Sequence, residues 1–214
     1  MRNNTSFHIG SLILINKVDS KYNLFDSLFA PLRGKAKHMI ESVKMFINNR
    51  LDKCAAVSKI LEIYAEEWFM CLGFGEKPKE RTMYRDLGRI GSNYKFVVEK
   101  FQQILKKYNL VDVIQFLDYS SSYFEGNNSE LGALGYSRDS QPSKKQLTFG
   151  ISTGMNGIPS ALTVQKGNVQ DKEHMNFMLK VVGKVLEKGS LVIFDCGGNT
   201  EDNKAKILLM ELNY

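Results

Sequence analysis

The chain has 214 residues, 43% hydrophobic and 24% charged, with 29 Lys+Arg against 23 Asp+Glu, a net charge of +6 and a pI near 9.1. This is a globular composition, long enough to bury roughly 70% of its unfolded surface without a disulfide or metal staple. Three scattered cysteines, Cys54, Cys71 and Cys196, argue against a disulfide framework and a zinc ribbon. No apolar run approaches a signal-peptide core or a membrane span, so a soluble, cytoplasmic protein with reduced thiols is expected.

The charge is uneven. Residues 1–111 carry 19 of the Lys+Arg and 11 of the Asp+Glu, net +8, whereas residues 112–214 carry 10 and 12, net −2. That asymmetry fits a polyanion-binding part joined to a part with different work, or simply a solvated basic surface.

In chain order, the first half reads as helices. Met39, Ile40, Val43, Phe46, Ile47 and Leu51 form an amphipathic stripe from Ala36 onward. A second helix is predicted from Val57 through Ile60, Leu61, Tyr64 and Trp68 to Leu72, stopped by Gly73 and Gly75. A short third helix covers about 78–90, and a fourth opens at Ser92 as N-cap and ends near Asn109. Cys54 and Cys71 are expected to pack in helices as small apolar residues.

The second half changes period. Val113 to Leu117 is an apolar run ending at Asp118, as in a strand buried on both faces. Leu147, Phe149 and Ile151 alternate with polar neighbours, and Asn156-Gly157 offers a hairpin turn into Ile158 to Val164. A helix is expected over about 171–187, a buried strand over Ser190 to Phe194 ending at Asp195, and the start of a helix from Asn203 to Leu212. A right-handed crossover would set the first and fourth strands side by side, with Asp118 and Asp195 at their carboxyl ends, where ligand sites of open α/β sheets lie.

Two aspartates brought together in this way repel unless they share a proton or a cation, and hard carboxylate oxygens suit Mg²⁺ or Mn²⁺. The plain alternative is that each Asp only ends a strand and caps the next turn.

The stretch Asp118-Tyr-Ser-Ser-Ser-Tyr-Phe-Glu-Gly126, then Gly135-Tyr-Ser-Arg-Asp139, Gln141-Pro142, Lys145-Gln146, Gly150, Gly157-Ile-Pro159, Gly167-Asn168 with Asp171, and the strand ending at Asp195 resembles, in order, the catalytic region of insertion-sequence transposases with a DDE acidic triad. The resemblance covers residues 112–214, and the helical first half is similar to that family's N-terminal DNA-binding region. It implies an α/β chain: a helical DNA-binding region over 1–111, then an incomplete RNase H-like mixed-sheet catalytic domain over 112–214. Asp118 and Asp195 would be the first two catalytic, metal-binding acids, with Mg²⁺ or Mn²⁺ as cofactor. The implied reaction is strand cleavage at transposon ends and attack of the freed 3′-hydroxyl on target DNA.

The chain departs from the family where Arg-Gly-Met usually follows the second acid and Cys196-Gly197-Gly198 stands instead. The third acid, a downstream glutamate, has no evident counterpart. Glu201 and Glu211 read as surface charges of a terminal helix, so a truncated, inactive transposase is expected. A non-catalytic DNA-binding module that competes with intact transposase, and a nonspecific metal nuclease, are the alternatives.

Arg81, Arg85 and Arg89 share one face of the short third helix, a placement suited to a recognition helix or to a solvated charged face. Lys144 and Lys145 could meet phosphates near the site or be exposed loop charges. The long connection to Gln146 carries Tyr123, Phe124 and Tyr136, as stacking surfaces or a local mini-core. Asp171 is read as the cap of the following helix, and His174 as a weak candidate ligand beside it. The expected partners are DNA, at transposon ends and target, and a second copy or an intact transposase, with no membrane.

Overall fold

The computed structural model describes residues 8–34, 36–126, 129–136, 141 and 143–214. It divides into two compact units, Met1–Ile104 and Leu105–Tyr214. No helix among the described residues is long and apolar enough to cross a membrane.

The first unit is helical. α1 (Gly10–Tyr22) and α2 (Leu24–Phe29) meet at Asn23, whose left-handed backbone (φ 48°) lets its N–H bond the Asp19 carbonyl. Asparagine tolerates that conformation better than most residues. α3 (Met39–Asp52) follows the predicted stripe. The single helix expected over 57–72 is instead a 3₁₀ turn, Val57–Lys59, then α4 (Ile60–Ile63) and α5 (Glu66–Leu72), with extended backbone at Tyr64 and Ala65 between the two. A tertiary anchor accompanies the break. The Tyr64 hydroxyl donates to Asp52 Oδ2 at 3.2 Å and accepts from Asn48 Nδ2 at 3.4 Å, both on α3. Burial and the neighbouring Asp52 push the phenol up to about 12, so it stays a donor at any ordinary pH.

Gly73 closes α5 in the left-handed region that a C-terminal cap favours (φ 98°). α6 (Glu80–Ser92) and α7 (Tyr94–Lys107) complete the helices before the sheet. Ser92 is the last residue of α6, not the cap of α7. Trp68, Phe69, Met45, Ile60 and Met83 form a fully buried apolar core. Cys71 lies on α5, and Cys54 just past α3, but both are exposed, so neither is the core residue expected.

The second unit is a four-stranded sheet of β1 (Ile114–Tyr123), β2 (Gln146–Gly154), β3 (Pro159–Lys166) and β4 (Leu191–Phe194), with α8 (Asp171–Val182) between β3 and β4 and α9 (Glu201–Leu209) after β4. The order is β3-β2-β1-β4; β1 pairs antiparallel with β2 and parallel with β4. The strand order and the parallel pairing of the first and fourth strands agree with expectation, and the Asn156-Gly157 turn is present with Gly157 at φ 75°. β1 is longer than predicted, because it stays paired to β2 as far as Tyr123 after leaving β4 at Leu117. The connection to β2 is correspondingly shorter, and Ala133 bridges back to Gln146.

Met175, Met178, Leu179 and Val182 of α8 pack on Leu117, Tyr119 and Val192 of the sheet, and Ile207 of α9 joins the same core. Polar side chains also enter this layer. Ser152 and Ser160 both donate to Gln115 Oε1, at 2.8 and 2.6 Å, and Gln115 Nε2 donates to the Asp112 carbonyl at 2.8 Å. One buried amide thereby ties three adjacent strands together. The other face of the sheet presents Phe116, Ile151, Leu162 and Ile193, each between 37% and 43% exposed.

Candidate active site

β1 and β4 run parallel in register up to Leu117 opposite Phe194, so Asp118 and Asp195 are the next residue on each of two adjacent strands. Residues 77 apart in sequence thus meet at one sheet edge. Asp118 falls on an outward position of the alternating strand, and Asp195 is likewise exposed.

Each aspartate also serves the backbone. Past Leu117, β1 has no partner on the β4 side, and the Tyr119 N–H donates to Asp118 Oδ1 at 2.8 Å. Asp195 caps the 3₁₀ turn Cys196–Gly198, accepting from the Gly197 N–H at 3.0 Å. Among the described residues the second oxygen of each carboxylate accepts no hydrogen bond, which leaves an outward-facing pair of hard oxygens. Two exposed carboxylates of this kind fit a divalent cation as partial ligands. No set of three His, Cys, Asp or Glu side chains among the described residues is arranged as a metal site.

Three carboxylates bear on this edge. Tyr119 lies beneath it, its hydroxyl donating to Met175 Sδ at 3.0 Å. Burial raises its pKa first, and the charges of Asp171, Asp195 and Asp118 raise it further. Asp171 is the acid that reasoning from sequence placed elsewhere. Gln170, not Asp171, holds the cap position of α8, and Asp171 is the first residue of the helix. A Cβ added to Gly197 would meet Asp171 Oδ2 at 2.8 Å and Asp195 Oδ1 at 3.2 Å, so those two oxygens are no more than about 6 Å apart. The glycine two positions after Asp195, visible in the sequence only as a departure from the family pattern, is what allows that approach.

His174 is no ligand. It is fully buried, with Thr148 Oγ1 at 3.3 Å from Nδ1 and Thr163 Oγ1 at 2.8 Å from Nε2, and burial pushes its imidazole down to about 4. Glu201 pairs with Lys204 at 3.0 Å, and Glu211 with Lys188 at 2.6 Å, both at the surface.

Three glycines of the resemblance have packing reasons. A Cβ on Gly135 would lie 2.0 Å from the Gly167 carbonyl oxygen, and one on Gly167 would lie 2.0 Å from the Gln146 carbonyl oxygen. Backbone crosses backbone there, at the start of β2. At Gly150 a Cβ would strike the Tyr119 ring at 2.8 Å. Arg138, Asp139 and Pro142 of the same motif lie outside the described residues.

Of the basic candidates, Arg81 and Arg85 are exposed on α6, with the Arg85 Nε 3.8 Å from Asp86 Oδ1. That distance is too long for a hydrogen bond. Arg89 differs, because its Nη1 donates to the Arg33 carbonyl at 2.9 Å and so anchors the helix. Lys144 is engaged by Glu125 at 2.5 Å, a hydrogen bond that holds its pKa up, and lies over the Tyr123 ring. Lys145 is half-buried, and its carbonyl accepts from the Phe124 N–H. Cys196 is an exposed thiol directly beside Asp195. Comparison with known proteins adds no relative to this geometry: no family model, no curated protein and no solved structure matches the chain.

Proposed function

We propose that the chain is a DDE-type transposase polypeptide, with Asp118 and Asp195 as metal-holding acids of a phosphoryl-transfer centre and the basic helical unit as the part that grips DNA. The carrying observation is the in-register meeting of the two aspartates on adjacent parallel strands. The β2–β3 hairpin on one side of β1 and the parallel β4 on the other support the RNase H-like reading of the sheet. So does the packing role of Gly135, Gly150 and Gly167, three positions on which the family resemblance rests.

In this reading Asp118 and Asp195 hold Mg²⁺ or Mn²⁺ through the oxygens that accept no backbone hydrogen bond. When bound, such a cation activates the attacking oxygen and stabilises the leaving oxygen of an in-line displacement. The protein's own contribution is orientation. The Tyr119 and Gly197 N–H groups each fix one carboxylate oxygen, which sets the direction of the other. Arg81 and Arg85 supply phosphate contacts from α6, with Lys145 beside the sheet.

The second reading is a module that binds the same DNA without cutting it. The net +8 of residues 1–111 and the exposed Arg81 and Arg85 favour it. One experiment separates the two: the purified chain is incubated with Mn²⁺ and duplexes carrying the DNA that flanks its own gene. Cleavage that is abolished in Asp118→Asn and Asp195→Asn supports the transposase reading. Binding without cleavage supports the module, and cleavage that ignores both the flanking sequence and the two aspartates removes both readings.

A further inference from the structure

We infer that Asn203 of α9 positions the Asp195 carboxylate, by pinning the turn Cys196–Gly198 against α8. The inference rests on the phosphoryl-transfer reading above and adds a positioning residue to it.

Asn203 is the third residue of α9 and is only 1% exposed. Its Nδ2 donates to two backbone carbonyls, that of Gly198 at 2.9 Å and that of Lys172 at 3.0 Å. The first ends the 3₁₀ turn that follows Asp195, and the second lies in the first turn of α8. One amide thus ties together α9, the turn and α8. Both partners are oxygens, so the amide is oriented with its nitrogen toward them, and both of its hydrogens are used. A hydroxyl at this position would supply one donor, and a carboxylate none.

The pinned turn is the one that directs Asp195. The Gly197 N–H donates to Asp195 Oδ1 at 3.0 Å, and the Gly198 N–H donates to the Asp195 carbonyl at 3.3 Å. Its own side chains give it little to pack with, since the Cys196 thiol is exposed and the next two residues are glycines, which restrain the backbone least. A hydrogen bond from a helix supplies the restraint that the turn lacks. The direction of the Asp195 oxygen left for a cation follows from where Gly197 is held.

Asn203 has a cost as well. Its Oδ1 is buried and has no hydrogen-bond partner among the described residues. An unmet acceptor in the interior is destabilising, and an apolar side chain there would avoid it. Unmet polar groups of this kind gather at functional sites, where a local loss accompanies a geometric gain. The start of α9 does not depend on the amide, because Thr200 Oγ1 caps the helix by accepting from the Asn203 backbone N–H at 3.2 Å. Helix stability and the pinning of the turn are therefore separable by mutation.

The test uses the full chain, without DNA, and takes two readings. One is hydrogen exchange at the Gly197 amide, with the Tyr119 amide, which bonds the Asp118 carboxylate from β1, as internal reference. The other is Mn²⁺ affinity, from the electron paramagnetic resonance of free Mn²⁺. In Asn203→Ala, exchange at Gly197 should quicken at least about fivefold relative to Tyr119, and Mn²⁺ binding should weaken about tenfold. Thr200→Ala should lower the unfolding midpoint by about 2–4 °C yet leave both readings within about twofold of the parent. Parent-like readings in Asn203→Ala, with Mn²⁺ affinity lost in Asp195→Asn, overturn the assignment of Asn203 and leave the function proposed above intact. Equal changes in Thr200→Ala also overturn it, because the effect then belongs to α9 as a whole. Faster exchange without loss of Mn²⁺ affinity overturns it too, since Asp195 would then keep its place without the pin. A parent chain that does not bind Mn²⁺ removes both the function and the positioning. If Asn203→Ala does not fold, Asn203→Ser decides by the same two readings, and parent-like values in it overturn the assignment.

Discussion

The helical unit and the sheet unit solve the same packing problem by different means. In the helical unit each segment satisfies its own backbone, so elements meet through side chains, and a core of Trp68, Phe69, Met45 and Met83 can adjust by rotamer changes. In the sheet unit the closest approaches are backbone against backbone, at Gly135, Gly167 and Gln146, and backbone against ring, at Gly150 and Tyr119. At Gly135 and Gly167 the facing atoms are backbone and have no rotamer to change. Both units bury polar side chains, but in the sheet unit the Gln115 and His174 hydrogen bonds each join residues of different strands and so depend on strand register. A unit built in this way holds carboxylates at fixed places, and it tolerates change poorly.

The sharpest test of that contrast is Gly167→Ala. The added methyl would sit 2.0 Å from the Gln146 carbonyl oxygen, and the sheet unit should lose at least about 3 kcal/mol or fail to fold. Urea unfolding followed by circular dichroism measures it, and a loss under about 1 kcal/mol would show that the backbone crossing can relax.

The next effect is pH-dependent and belongs to His174. Its native pKa lies near 4 against 6.5 for a free imidazole, so between those values the unfolded chain binds a proton that the folded chain does not. Stability is therefore complete above pH 6.5 and falls on acidification toward pH 4, by about 3 kcal/mol in all. His174→Gln should start lower but lose less between pH 7 and pH 4.5. Equal slopes in the two proteins would assign the acid sensitivity to other groups.

Arg85→Ala probes the helical unit at its surface. Affinity for the flanking DNA should fall about three- to tenfold, with the salt dependence shallower by about one counterion, and the unfolding midpoint should not move. Unchanged binding would take α6 out of the DNA contact. The smallest effect has the opposite sign: Gly88 is inside α6 with open space around it, so Gly88→Ala should stabilise by about 0.5–1 kcal/mol. A destabilisation there would contradict the view that the helical unit has slack which the sheet unit lacks.

Much of this architecture is written in local periodicity. The strands of the hairpin, the crossover helix and the strand leading to Asp195 each carry a pattern that a few residues suffice to reveal. The features that escaped are non-local. The break at Tyr64 goes with a hydroxyl that reaches α3, twelve and sixteen residues back at Asp52 and Asn48. The extension of β1 past Asp118 depends on β2, which a reading of the apolar run alone ends too early. Asp118 and Asp195 were legible because each closes an apolar run. The sequence reads Asp171 as a cap, because its nearness to Asp195 comes from the turn of small residues that follows β4 and lies against α8. α1 and α2 carry no strong stripe and were not foreseen. His174 needed the two threonines, from different strands, to show that it is a core residue.

The Gln115 amide has a consequence for how the sheet finds its pairing. Its Oε1 accepts from hydroxyls on β2 and β3 at once, and side chains alternate faces along a strand. A slip of one residue in either neighbour would turn its serine to the outer face and leave the amide oxygen short of a donor in the interior. Mispaired sheets therefore carry an unmet polar group from the moment they collapse, and among alternative alignments of similar apolar content the native one is selected by proofreading through hydrogen bonds.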